Sequence, residues 1–253
     1  MEYIQFEALY FANLHRNGLD EFATKPLAER FYCLTCLLVD ANARMNLTAI
    51  RDPLDMIPLH YTDCLFAAAH LPHGASLLDC GCGAGFPSLP LAIARPDLHI
   101  TALDSTAKKL TFVSDAAKAL NLDHLVTLCG RAEDLAHDPL YRGKFDACTA
   151  RAVAALPVLA EFCVPFLKQN GVFLALKGAK AEAELTEARR ALHLLGCPAP
   201  ELLIYCLYRD VNSPEQQQIQ QPSEQRAIIL CKKTGICPPQ YPRKYAQILK
   251  KPL

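Results

Sequence analysis

Ser76-Leu77-Leu78-Asp79-Cys80-Gly81-Cys82-Gly83-Ala84-Gly85-Phe86-Pro87 reads as a strand running into a glycine turn. Leu77 to Cys80 is a short apolar run, which fits a strand covered on both faces rather than one with a wet side. Glycines at 81, 83 and 85 follow. Leu89-Pro90-Leu91-Ala92-Ile93-Ala94 then opens a helix, since proline is tolerated in a first turn where its N–H would have no partner. Strand, glycine turn and helix hold a nucleotide-like ligand at the carboxyl end of a parallel sheet. Glycine is needed where the turn is sharp and a ligand must approach the backbone.

The dinucleotide fingerprint places glycine at its first, third and sixth positions. Counted from Gly81, the sixth position is Phe86, so that pattern fails. Asp79-x-Gly81-x-Gly83-x-Gly85 is instead the pattern of class I S-adenosylmethionine methyltransferases. That cofactor has no pyrophosphate, so no helix N-terminus has to hold phosphates. A glycine turn without a ligand and a dinucleotide site remain open at this point.

Downstream the chain alternates strand and helix. His99 to Asp104 reads as a second strand ending in an acid, 25 positions beyond Asp79. That is close to the offset of about 20 at which a carboxylate bonds a ribose diol; a cap on the next helix, with Ser105 and Thr106, is the competing reading. Lys108 to Leu120 is helical, with Leu110, Val113, Ala117 and Leu120 on one stripe. Val126 to Cys129 is a third strand. The Gly130-Arg131-Ala132-Glu133-Asp134 loop after it is where an adenine would be read by backbone N–H groups and a carboxylate. Phe145 to Ala150 is the fourth strand, with Arg151 the one charge at its carboxyl edge; a surface arginine holding a nearby carboxylate is its alternative role. A helix over Pro157–Leu167, a strand over Val172–Leu176, a helix over Ala181–Leu195, and strands over Glu201–Tyr208 and Arg226–Cys231 complete an α/β, Rossmann-like, mostly parallel seven-stranded sheet. The Gln- and Pro-rich stretch from Val211 to Glu224 predicts a mobile excursion.

Upstream, strand alternation is missing. Ile4, Ala8, Phe11 and Ala12, and then Phe31, Leu34, Leu38 and Ala41, fall at helical spacing. Thr24 before Pro26 and Asp52 before Pro53 look like caps with a first turn. Residues 1–70 are therefore expected to form a helical cap, and 71–253 the sheet domain with a basic tail. His60 and Asp63, three apart, share a helical face; they are either a surface pair or residues shaping the mouth of the ligand site.

The chain of 253 residues has no net formal charge and is 51% hydrophobic, which excludes wholesale disorder and any global attraction to nucleic acid. The N-terminus carries acids and no basic region, and no uncharged run reaches the roughly 18 residues a membrane helix needs. Twelve cysteines, mostly in apolar runs (Cys33, Cys36, Cys80, Cys148, Cys163, Cys206, Cys231), read as buried thiols of a reducing cytoplasm. Cys33-x-x-Cys36 has no second pair or histidine cluster, so no metal site is expected. From Cys231 to Leu253 there are six basic residues and no acid. In a neutral molecule, this tail is the plausible phosphate-facing surface; a merely solvated terminus is the other reading.

The acceptor is narrowed by what is missing. The Asn/Asp-Pro-Pro-aromatic motif that holds exocyclic amines does not follow the fourth strand, where Ala150-Arg151-Ala152-Val153 stands instead. No cysteine follows a proline or threonine there to attack carbon-5 of cytosine. A ring nitrogen such as guanine N7 presents a lone pair and carries no proton, so catalysis reduces to positioning, and no catalytic residue is singled out.

Together these residues closely resemble the ribosomal RNA small-subunit methyltransferase G family, also called glucose-inhibited division protein B. The matching pieces are Asn46-Leu47-Thr48, His60 with Asp63, the glycine stretch with Phe86-Pro87 and Pro90-Leu91-Ala92-Ile93, Leu103-Asp104-Ser105, Lys108-Lys109, Arg131-Ala132-Glu133, Arg151-Ala152-Val153-Ala154, Lys177-Gly178, and Tyr241-Pro242-Arg243-Lys244 with Lys251-Pro252-Leu253. The likeness runs from about residue 40 to the C-terminus. It implies methylation of N7 of one guanine in 16S rRNA of the small ribosomal subunit, by a cytoplasmic S-adenosylmethionine enzyme. It also implies cofactor contacts from Gly81, Phe86, Ala132, Glu133 and Arg151, to which the ribose argument adds Asp104. The tail residues Arg243, Lys244, Lys250 and Lys251 are the RNA-facing candidates. A monomer without membrane association is expected. Three departures stand out. Cys80 and Cys82 replace small or β-branched residues, Ser88 stands where the family often has glycine, and Tyr245 to Leu249 replaces a glycine-containing spacer. A small-molecule methyltransferase, an NAD-binding oxidoreductase and a ribosome-binding protein without catalysis are the rival readings.

Overall fold

The strands are β1 (Ser76–Cys80), β2 (His99–Asp104), β3 (Leu125–Cys129), β4 (Phe145–Arg151), β5 (Leu167–Lys177), β6 (Glu201–Leu207) and β7 (Glu224–Lys232). They form one sheet in the order β3-β2-β1-β4-β5-β7-β6 in a computed structural model that describes residues 2–209 and 224–253. β1 to β5 are mutually parallel, and β7 runs antiparallel to both β5 and β6. The order reverses between β1 and β4, so the carboxyl ends of those two strands flank the switch point at which such sheets bind ligands. The stretch predicted as mobile, Val211 to Glu224, lies outside the described residues except for Glu224, which begins β7.

The helices are α1 (Tyr3–Arg16), α2 (Lys25–Met45), α3 (Pro53–Met56), α4 (Asp63–Leu65), α5 (Ser88–Ala94), α6 (Ala107–Ala119), α7 (Ala132–Leu135), α8 (Leu156–Cys163), α9 (Ala181–Leu194) and α10 (Tyr245–Lys250). A π turn, Ile57–Thr62, joins α3 to α4. Pro26 sits in the first turn of α2, and Asn46 ends that helix at φ 49°, the left-handed conformation asparagine tolerates. Asp52 caps α3 by accepting from the Leu54 N–H.

Successive residues of β1 point to opposite faces, so Leu77 and Leu78 enter different cores. Leu77, Ile100 and Ala102 pack with Phe6, Tyr10, Phe31 and Leu34 of the N-terminal helices. Leu78, Cys80 and Leu103 pack with α8 and α9. All eight residues of α8 are buried, including Glu161. A buried carboxylate needs a partner, and the C-terminal tail brings it Arg243.

Two expectations are corrected. β5 starts at Leu167 rather than Val172, because Pro165 closes a short turn after α8 and Leu167 already pairs with Phe145 across a bulge. All twelve cysteines are free thiols, but Cys33, Cys36 and Cys206 are exposed, as is Cys129. The first two face away from the stripe with which α2 covers the core, and Cys206 lies on the edge strand.

Candidate active site

The glycine turn after β1 sits under β2. The N–H groups of Gly81 and Cys82 both donate to the Leu103 carbonyl, at 2.8 and 2.9 Å. Gly81 has φ +74°, and a Cβ there would lie 2.6 Å from Val153 Cγ2, so only glycine fits between the turn and the chain leaving β4. Gly83 has φ +57° with open space where a Cβ would point. Its N–H donates to Asp104 Oδ2 (3.0 Å), while Asp104 Oδ1 accepts from the Thr106 N–H (2.8 Å). Asp104 thus ties the glycine turn to the start of the next loop without capping α6, whose N-cap Thr106 has no side-chain cap, and its carboxylate borders the cleft.

Asp79 is fully buried and faces the other way. Its Oδ2 accepts from the N–H (3.0 Å) and the hydroxyl of Ser88 at the start of α5, and its Oδ1 from Thr149 Oγ1 (3.3 Å). Ser88, a departure from the family pattern, is thereby the staple between strand and helix. Burial raises the Asp79 carboxyl to about 6 despite these donors. The N-terminus of α5, where a dinucleotide fold seats its pyrophosphate, already holds a protein carboxylate. That geometry disfavours the NAD reading.

Arg151 closes the site from the far side. Its Nη1 donates to the Leu59 carbonyl (2.8 Å) and Asp63 Oδ2 (3.0 Å), and its Nη2 to His60 Nδ1 (3.0 Å). Its guanidinium also lies 5.6 Å from the Phe86 ring centre, and the Phe86 ring stacks on His60 at 4.1 Å. An arginine can only donate, so His60 Nδ1 accepts and Nε2–H donates to Thr48 Oγ1 at 3.0 Å. Burial, and then the Arg151 charge, push His60 down to about 3, so the ring is neutral at physiological pH. Tyr205 donates to Asp63 Oδ1 at 3.0 Å. Ala152, next in the chain, has φ +56°, a conformation that costs a residue with a Cβ about 1–2 kcal/mol. The strained turn swings Val153 onto Gly81.

His60 and Asp63 are therefore buried partners of Arg151 and not a surface pair. Nothing in the sequence pointed to Tyr205, which meets Asp63 from 142 positions away, nor to Asn42, whose amide brackets the Thr48 backbone. The Asn46-Leu47-Thr48 motif now has a physical content: a helix stop, a cleft-lining side chain and the hydroxyl that accepts the hydrogen bond from His60 Nε2–H.

Gly81, Phe86, Asp104, Ala132, Glu133 and Arg151 all line one cleft of about 530 Å³ at the carboxyl ends of β1, β2, β3 and β4, within the size range of small-ligand sites. Phe86 is 5% exposed and forms part of the wall rather than a plug. Glu133 Oε1 is buried without any hydrogen-bond partner; Arg131 Nη1, at 3.8 Å, is out of reach. An unpaired buried acceptor of this kind costs about 1–3 kcal/mol, which a ligand hydroxyl or amine would relieve. Among the described residues no group of three or more histidine, cysteine or acidic side chains could hold a metal. None of the described helices is long and apolar enough to cross a membrane.

Of the tail residues expected at RNA, Lys244, Lys250 and Lys251 are exposed. Arg243 is turned inward. Its backbone N–H (2.7 Å) and Nε (2.9 Å) donate to Glu161 Oε1, and its Nη2 to Oε2 (2.7 Å). The carboxylate buried in α8 draws that charge out of the solvent-facing set.

This strand order, with the glycine turn and the acid ending β2 at one cleft, defines a class I S-adenosylmethionine-dependent methyltransferase. Solved structures of that class share the fold. A precorrin-6y C5,15-methyltransferase from Geobacter metallireducens is 16% identical with TM-score 0.51, covering 75% of this chain and 93% of its own. A SAM-dependent O-methyltransferase from Thermotoga maritima is 18% identical with TM-score 0.51, covering 79% of this chain and 72% of its own. The chain belongs to the rRNA small subunit methyltransferase G family, whose profile matches residues 28–202. Relatives named ribosomal RNA small subunit methyltransferase G are 43% identical in Desulfitobacterium hafniense (89% of each chain) and 40% identical in Lactobacillus helveticus (91% of this chain, 92% of the relative).

Glu133→Ala is expected to raise the dissociation constant for S-adenosylhomocysteine about 10- to 100-fold, the range of a hydrogen bond to a charged group. The same change removes a buried carboxylate whose Oε1 has no hydrogen bond and only a long ion pair, at 3.8 Å, to a half-exposed Arg131, so the thermal midpoint of the ligand-free protein should fall little. Calorimetry and thermal unfolding on one preparation read both.

Proposed function

We propose that this chain transfers the methyl group of S-adenosylmethionine to N7 of a guanine in 16S rRNA of the small ribosomal subunit. When bound, the cofactor supplies a methyl group on a positively charged sulfur, an electrophile with a neutral leaving group. Gly81, Asp104 and Glu133 would hold its adenosine part, and Arg151 with Phe86 the wall opposite. The names carried by the relatives support small-subunit rRNA as substrate.

The observation that carries N7 concerns a second cleft, of about 450 Å³, which meets the first at Arg151, Ala152 and Val153. Two acids line it, and both are engaged. Asp63 is held by Arg151 and Tyr205, and Glu184 Oε2 accepts from Lys177 Nζ (2.7 Å) and the Leu156 N–H (2.9 Å). Both acids already serve protein donors, whereas transfer to an exocyclic amine or a hydroxyl would call on a base to take a proton. Guanine N7 has none to give, and its base must leave the stack to reach such a cleft, which suits a loop target. The reading brings with it a cytoplasmic enzyme acting as a monomer, with residues 1–70 serving as a cap on the sheet domain.

The test uses tritiated S-adenosylmethionine and 30S particles from a strain lacking this protein. Label should enter 16S rRNA at one guanine, and borohydride followed by aniline should cleave the chain there, as methylation at N7 allows and methylation at another atom of guanine does not. Label without cleavage moves the acceptor to another atom, and absence of label in rRNA overturns the reading.

A further inference from the structure

The tail does more than present lysines. After β7 it crosses to α8, and each step is fastened. Arg142 Nη1 donates to the Tyr241 carbonyl (2.7 Å), His137 Nε2 to the Pro242 carbonyl (2.7 Å), and Arg243 grips the fully buried Glu161. Ile248 is then buried in the same core as α8. These anchors fix a six-residue helix, α10, against the first cleft. Tyr245 and Leu249, four apart and so on one face, line that cleft together with Glu133 and Phe162. The Tyr245 ring stacks on Phe162 (6.2 Å, 11° between planes), and the Arg131 guanidinium lies 5.1 Å from its centre. Arg131 immediately precedes α7, which carries Glu133.

We infer that α10 belongs to the cofactor site: Tyr245 and Leu249 cover the adenosine end of the cleft, and the helix links cofactor binding to RNA binding. The second half rests on the rRNA reading above. Lys244 directly precedes α10, Lys250 ends it and Lys251 follows; all three are exposed. An RNA phosphate held by these lysines restrains the helix whose apolar side chains face the cofactor. Two ligands that favour one position of one element must strengthen each other by the same factor. The stretch that departs from the family pattern, Tyr245 to Leu249, is thus the one that makes the contact.

The test begins with calorimetry of S-adenosylhomocysteine. Tyr245→Ala/Leu249→Ala should raise its dissociation constant about tenfold, and Tyr245→Phe, which keeps the ring, should restore most of that loss when Leu249 is intact. In the unmodified protein, saturating S-adenosylhomocysteine should slow amide exchange across 244–251, a measurement that needs no variant to fold. Binding of 30S particles should tighten at least about fivefold with S-adenosylhomocysteine present, and the doubly substituted chain should lose that gain. Normal affinity in the double variant, or unaltered exchange in the tail of a saturated protein, overturns the role of α10. Failure of the unmodified chain to bind S-adenosylhomocysteine at all would overturn the methyltransferase reading instead.

Discussion

Arg151→Ala is expected to lower the unfolding free energy by about 3–5 kcal/mol, the range for leaving one member of a buried ion pair alone. Asp63, 4% exposed, would keep only the Tyr205 hydroxyl, and His60 Nδ1 would lose its donor. Arg151→Lys should recover little. A single ammonium cannot reach the Leu59 carbonyl, Asp63 and His60 together, and it forfeits the flat contact with Phe86. Asp63→Asn in the Arg151→Ala background should return part of the loss, since it removes the uncompensated charge. Urea unfolding of the unmodified protein, Arg151→Ala, Asp63→Asn and the two changes together closes a double-mutant cycle, with Arg151→Lys measured beside it. A loss below about 1 kcal/mol in Arg151→Ala, the range of an exposed pair, would show that the cluster is solvated and not the rigid wall described here.

How much of this was legible beforehand depended on where the partners lie in the chain. The seven strands and the glycine turn were readable because their signals are local: apolar runs, turn residues and proline positions. So was the place of the cleft, because the carboxyl ends of the parallel strands converge at the switch point whatever their side chains do, while Phe86 and Ala132 stand out only through the family resemblance. Long-range pairing was not readable. The basic tail looked like an open phosphate-facing surface, yet Arg243 is committed to Glu161, 82 positions away, inside a helix whose other residues gave no hint of a charge to be matched. Asp79 belonged to the quoted ligand pattern, but its carboxylate is used to tie β1 to α5 and β4. The spacing of His60 and Asp63 puts them on one helical face, while their burial comes with Arg151 and Tyr205, which no local pattern connects to them.

Replacing His60 by glutamine is expected to change how stability varies with pH, because two buried groups oppose each other. His60 is held at about 3 against about 6.5 when unfolded. Between those values the unfolded chain binds the extra proton, so the His60 contribution, complete above pH 6.5, drains away as the pH falls, by roughly 1.4 kcal/mol per unit. Asp79 has the opposite sign. Its folded value of about 6 lies above its ordinary 3.8, so between pH 6 and 4 the folded chain binds the extra proton and gains stability as the pH falls. In the unmodified protein the two slopes nearly cancel over that interval. His60→Gln keeps an acceptor for Arg151 but cannot titrate, which leaves the Asp79 slope exposed. The advantage of the unmodified protein over the variant should therefore shrink by roughly 2–3 kcal/mol between pH 6.5 and 4.5, with other titrating groups common to both and cancelling in the difference. In Asp79→Asn, stability should instead fall with the full His60 slope. Urea unfolding at half-unit steps of pH measures both differences. A constant gap between the unmodified protein and His60→Gln would mean that His60 takes up its proton as readily folded as unfolded, and that the neutral ring between Arg151 and Thr48 is misassigned.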